Sequence, residues 1–161
     1  MFASAPGWGT VRGSIAAVKW WAEIRSEGNQ AMRAVARILV VDDDPAFNAM
    51  LVERFTEQGD TVRSASNIAA ALALLDSERF DVAILDLKLD GQHGADVGID
   101  SLGKVLDRAP AIKPIIITAY ADAASVERAF RNGAYDYVEK TDFGVFYALL
   151  LAKVRNALEP A

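Results

Sequence analysis

Apolar residues in this chain come in short, dense runs, and amphipathic stretches lie between them. Ile38-Leu39-Val40-Val41 is one such run, and Val82-Ala83-Ile84-Leu85 and Ile115-Ile116-Ile117 repeat it. Runs of this length without polar alternation predict strands covered on both faces. "TVRSA" (61–65) alternates like a half-exposed strand, and "YDYVEK" (135–140) makes a fifth. Between the runs the spacing turns helical. Phe47, Met50, Leu51 and Phe55 follow Pro45, which suits a first helical turn, and Gly59 ends the stretch. "NIAAALALLDSE" (67–78) is rich in strong helix formers. A helix is expected near 99–108, and another over "ADAASVERAFRNG" (121–133), closed by Asn132-Gly133. Pro114 stands ahead of a fourth strand at 115–118, and Phe143, Phe146, Leu149, Leu150, Val154 and Leu158 mark a last helix at 142–158. Five alternations of strand and helix predict an α/β fold: a five-stranded parallel sheet with helices on both faces.

Open sheets of this kind bind ligands beyond the carboxyl ends of their strands, at the switch in strand order. At those ends the chain places Asp42, Asp43 and Asp44 after the first strand, Asp86 on the third, Thr118 on the fourth and Lys140 on the fifth. Two carboxylates about 4 Å apart repel by roughly 4 kcal/mol at an effective dielectric near 20. Such a cluster therefore calls for a cation or a shared proton. Oxygen donors without thiolate or imidazole select a hard cation, and Mg²⁺ suits few carboxylates and several waters. A carboxylate beside a cation, a hydroxyl and an ammonium has the parts for phosphoryl transfer. One aspartate oxygen attacks phosphorus while the cations and the hydroxyl neutralise the phosphoryl oxygens. Asp44, just before Pro45, reads instead as a helix N-cap.

Composition narrows the classes. A chain of 161 residues with 52% hydrophobic content supports one domain with some additional chain. A net charge of −5 argues against a nucleic-acid binder. The absence of cysteine fits a reducing cytosol, and no apolar run approaches the roughly 20 residues of a membrane helix. Residues 1–36 stand apart: four basic residues against two acidic ones give +2, which leaves −7 for the remainder, and Trp8, Trp20 and Trp21 all lie there. This segment reads as an extension, either flexible or an amphipathic helix over 14–27 with Ile15, Val18, Trp21 and Ala22 on one side, ahead of a domain at 37–161. "MRAVARILVVDDD" offers Met32 as an alternative start. Two decoys fail. "DLKLDG" (86–91) imitates a calcium loop but has Lys88 at position 3 and Val97 at position 12. A phosphatase of the haloacid-dehalogenase type needs a second aspartate where Lys88 stands. His93, the single histidine, lies in a polar loop, which argues against a catalytic triad or a histidine-based metal site.

Four pieces taken together, "ILVVDDDP", "DVAILDLKL", "IIITAY" and "GAYDYVEK", resemble the receiver domain of two-component response regulators over residues 36–159. The resemblance implies a flavodoxin-like, doubly wound sheet of order 2-1-3-4-5 with five flanking helices. It implies Asp86 as phosphoacceptor, and Mg²⁺ held by Asp42, Asp43, Asp86 and the backbone carbonyl of Lys88. It implies Thr118 as switch hydroxyl, Lys140 as partner of a phosphoryl oxygen, and Tyr137 as an aromatic that turns inward when phosphate draws Thr118 and Lys140 in. Lys88 and Tyr120 occupy positions that tune phosphate lifetime in this family, and a bulky Tyr120 implies a shielded acyl phosphate. Three features depart from the family pattern. Thr141 and Asp90 replace prolines, and the loop 90–98, with Gly91, Gly94 and Gly98 making it pliable, is longer than usual. Only Glu159, Pro160 and Ala161 follow the last helix. The expectation is therefore a stand-alone cytoplasmic receiver. Its phosphoryl group would come from a sensor histidine kinase or a histidine phosphotransfer protein. It would act on a downstream target protein, without direct DNA binding or a membrane span, and with a dimer surface on the fourth-helix face. Two rivals stay open: a pseudo-receiver that never takes phosphate, and a metal-dependent phosphatase.

Overall fold

Branched side chains crowd the turns of a helix but pack well on a pleated surface, and the strands form where they cluster. The computed structural model describes residues 34–88 and 95–160. The expected helix at 14–27, the start at Met32 and loop residues 90–94, His93 included, lie outside the described residues. Five strands, β1 (Arg37–Val41), β2 (Thr61–Ala65), β3 (Val82–Asp86), β4 (Lys113–Thr118) and β5 (Asp136–Glu139), alternate with five helices. These are α1 (Pro45–Glu57), α2 (Ile68–Ser77), α3 (Ala95–Arg108), α4 (Ala123–Arg131) and α5 (Phe143–Leu158). All strand pairs are parallel, in the order β2-β1-β3-β4-β5. This is the flavodoxin-like arrangement expected from the sequence.

Alternation along the strands divides the core between two faces. Leu39, Val41, Ala83, Leu85 and Ile116 pack with Ala71 of α2, Leu102 and Val105 of α3 and Ala129 of α4. Ile38, Val40, Ile84, Ile115, Ile117 and Val138 pack with Leu51 and Phe55 of α1 and Phe146, Leu150 and Val154 of α5. Each fully buried Ile or Leu contributes about 1.5–3 kcal/mol relative to exposure. Asp44 is the N-cap expected, its carboxylate accepting from the Ala46 and Phe47 amides. Gly59, at φ +88°, takes the left-handed conformation that ends α1. Far from the strands' carboxyl ends, buried Asp60 accepts from the Ala36 amide and pairs with both terminal nitrogens of Arg155, which fastens α5 to the start of the sheet.

Two boundaries differ from the expected ones. β4 includes Pro114, whose carbonyl accepts from the Tyr135 amide at 2.7 Å. In a strand, the N–H and C=O of one residue face the same neighbour. The missing N–H of Pro114 therefore faces the β5 side, ahead of the first β5 pair at Ile115–Asp136, and no ladder bond is lost. α3 starts at Ala95, so residues 95–98 are helical rather than the tail of a pliable loop.

Candidate functional site

Register brings the strand ends level. Val41 pairs with Leu85, Asp86 with Ile117, and Thr118 with Glu139. Asp42, Asp86, Thr118 and Lys140 therefore emerge along one edge of the sheet. The first three are buried, at 1%, 7% and 1% exposure. One carboxylate oxygen from each of Asp42, Asp43 and Asp86 lies within 4.8 Å of the others. The Lys140 ammonium donates to Asp42 Oδ2 at 2.5 Å and to Asp86 Oδ2 at 3.0 Å. It also lies 4.2 Å from the centroid of the Phe47 ring, whose negative face favours a cation.

Backbone donors hold the remaining oxygens. Asp42 Oδ1 accepts from the Asp44 amide and Asp86 Oδ1 from the Lys88 amide, each at 2.9 Å. The Asn48 side chain donates to the carbonyls of Asp42 and Ala65, clamping the ends of β1 and β2. Lys140 keeps its backbone place without a following proline, because its amide donates to the Thr118 carbonyl at 2.7 Å. Asp142 then caps α5 through the Gly144 amide. The substitution at Thr141 leaves the lysine within reach of both carboxylates.

The charges do not cancel. Burial pushes the Asp42 carboxyl up to about 6, against the pull of its hydrogen bonds to Lys140 and the Asp44 amide. Burial would lower the Lys140 ammonium, but the hydrogen bond to Asp42 and the charge of Asp86 outweigh it and hold the ammonium above its usual range. Three carboxylates face one ammonium. That surplus, built of oxygen donors, fits a hard divalent cation such as Mg²⁺.

Thr118 is the hydroxyl of the rim. The hydroxyl is engaged with the Tyr120 backbone, donating to its carbonyl at 3.3 Å and accepting from its amide at 3.4 Å. Tyr137, on the face covered by α2, α3 and α4, buries its hydroxyl close to Thr118. Burial and the charge of Glu139 raise its pKa. Tyr120 is 75% exposed, and the Lys88 ammonium stands 4.6 Å from its ring centroid.

The response regulator receiver domain family matches residues 38–145. The chain belongs to this family. The receiver is 36% identical over 104 residues to the alginate biosynthesis transcriptional regulatory protein AlgB of Pseudomonas aeruginosa, covering 65% of this chain and 22% of AlgB. It therefore spans about a fifth of the length of the curated relatives it matches. Among solved structures, the non-phosphorylated HemR receiver domain from Leptospira biflexa superposes with a TM-score of 0.67 at 27% identity, over 78% of this chain and 98% of that one. The BeF3-activated DrrB receiver domain gives 0.64 at 28% identity, over 79% and 100%.

Every charged or hydroxylic side chain singled out from the strand ends of the receiver lies on the expected edge. Phe47 and Asn48 were missed as site residues. Phe47 looked like helix core, and Asn48 could have been found as a polar residue one position beyond it, on a helix whose neighbours are apolar. Gly98 was read as loop flexibility and is instead a point of close contact.

Proposed function

We propose that the receiver is a phosphorylation switch in which Asp86 is the phosphoacceptor. The observation that supports this best is the joint reach of Lys140 to Asp86 at 3.0 Å and to Asp42 at 2.5 Å, across 54 and 98 residues of sequence, beside a third carboxylate. Asp42, Asp43 and Asp86, with the Lys88 carbonyl, would hold Mg²⁺, which when bound neutralises phosphoryl oxygens during transfer. Asp86 Oδ2 is the attacking oxygen, and its other oxygen stays on the Lys88 amide. Lys140 stays paired with the carboxylates until phosphate arrives and then turns to a phosphoryl oxygen. Thr118 leaves the Tyr120 backbone and donates to another. The donor is a phosphohistidine of a histidine kinase or a histidine phosphotransfer protein in the cytoplasm: the bond from Asp86 Oδ2 to phosphorus forms as the donor's N–P bond breaks, and the imidazole nitrogen leaves.

The phosphoryl group adds roughly −1.5 to −2 charge at neutral pH. Movement of Thr118 changes what surrounds the Tyr137 hydroxyl, and through it the surface of α4, β5 and α5. That surface exposes Phe130, Val145 and Leu149, which suits a protein partner. The test is a mass measurement after incubation with Mg²⁺ and a small acyl phosphate donor. The expected result is one base-labile phosphoryl adduct, absent in Asp86→Asn. Wild-type protein that takes no adduct would point to a binding module without phosphorylation, and turnover of unrelated phosphate esters would point to a phosphatase.

A further inference from the structure

Helix α3 leans on the peptide that follows Asp86 more closely than any side-chain-bearing residue permits. A Cβ built on Gly98 would stand 2.6 Å from the Leu87 carbonyl oxygen, 2.7 Å from Leu87 Cα and 2.6 Å from Leu87 Cδ2. Two of these atoms are backbone, so no rotamer change relieves the overlap. Gly98 is not needed for an unusual backbone angle: the positive-φ glycines of the described residues are Gly59 and Gly133. Its role is clearance.

The peptide it touches has a second edge. The Leu87 carbonyl and the Lys88 N–H belong to one planar unit, and the Lys88 N–H donates to Asp86 Oδ1 at 2.9 Å. The unit before it is held by the Leu87 amide, which donates to the Ile117 carbonyl of β4 at 3.2 Å. The Leu87 side chain is buried, at 6% exposure, in the core shared with α3. The Leu87–Lys88 plane thus has α3 against its carbonyl edge and an anchor to β4 one unit earlier, and its orientation decides where the Lys88 N–H aims.

We infer that Gly98 is a positioning residue for Asp86: its missing side chain lets α3 brace the Leu87–Lys88 peptide so that the Lys88 amide orients the Asp86 carboxylate. A methyl at position 98 displaces the Leu87 carbonyl, and because the unit is planar the Lys88 N–H moves with it. Asp86 Oδ1 then loses its donor, and the Lys88 carbonyl, one bond pair along, shifts too. This inference rests on the reading of Asp86 and Lys88 as metal-holding groups, but its first readout does not.

The experiment compares full-length Gly98→Ala with Gly103→Ala. Both lie on α3, and a Cβ at Gly103 meets nothing within 4 Å. The first readout is the Lys88 amide resonance in Mg²⁺-free protein, which a carboxylate acceptor shifts downfield. Gly98→Ala is expected to lose that shift while Gly103→Ala keeps it. The second readout is Mg²⁺ affinity by calorimetry, expected to fall about ten-fold or more in Gly98→Ala alone, as for other groups that orient ligands. Should Gly98→Ala fail to fold, the double variant Leu87→Ala/Gly98→Ala removes the side-chain part of the overlap and keeps the backbone part. Measured against Leu87→Ala, it is expected to show the same loss. An unmoved Lys88 resonance in folded Gly98→Ala, or in the folded double variant, overturns the inference. Wild-type protein that binds no Mg²⁺ counts against the functional reading and leaves the resonance comparison intact.

Discussion

Lys140 carries the electrostatics of the site on one ammonium. It compensates two buried carboxylates, so its removal leaves like charges facing each other. Lys140→Ala is expected to destabilise the protein by about 2 kcal/mol, less than the roughly 3–5 kcal/mol of a fully buried pair because the lysine keeps 21% exposure. Urea unfolding with and without Mg²⁺ measures it, and added Mg²⁺ is expected to restore part of the loss. Asp42 makes a pH prediction. Its carboxyl rises from the usual 3.8 to about 6 on folding, so the native state binds the proton more tightly than the unfolded chain. The group therefore contributes stability that is fully present below pH 3.8 and lost as pH rises toward 6. In chelator, Asp42→Asn is expected to flatten the stability profile of that window; an unchanged slope would assign the effect elsewhere. The same proton competes with a cation, so Mg²⁺ affinity is expected to fall as pH drops below about 6. The residues of this network were legible as types at strand ends. The ring of Phe47 over Lys140 was not, because a helical periodicity gives a face and not a partner.

Helices position the site through packing. α5 presents Phe146, 1% exposed, to a cluster with Phe47 and Phe143, at centroid distances of 5.6 and 6.3 Å. Phe146→Ala is expected to cost about 3–5 kcal/mol in chemical denaturation, and to loosen the ring that lies against Lys140. Asp44→Ala removes an N-cap with two acceptor bonds and is expected to cost about 1 kcal/mol. Element identity was readable throughout, since apolar runs and helical spacings differ in period. Boundaries were less readable. Pro114 marks the end of a strand only if its N–H is wanted, and that depends on where β5 begins. Residues 95–98 looked like loop because glycine and aspartate disfavour helix locally, yet they form the first turn of α3.

At the scale of the whole molecule, the described receiver gathers its acidic, hydroxyl and amine groups on one rim of the sheet. No helix among the described residues is long and apolar enough to cross a membrane. A cation that binds only the folded rim stabilises the entire domain. Mg²⁺ at about 100 times its dissociation constant is expected to add about 2.7 kcal/mol, seen as a rise in melting temperature that chelator reverses and Asp43→Ala abolishes. An identical melt in Mg²⁺ and in chelator would leave the carboxylate cluster without its proposed occupant. The sequence by itself determined the alternation of strands and helices, the parallel sheet, and which acidic, hydroxyl and amine groups stand at the strand ends, because these follow from period and local chain chemistry. Only the tertiary structure decided that Lys140 bridges Asp42 and Asp86, that Thr118 is occupied by the Tyr120 backbone, that the Tyr137 hydroxyl is interior, and that Gly98 clears space for the peptide beside Asp86. Those facts depend on register and on contacts between segments far apart in the chain, which no local pattern encodes.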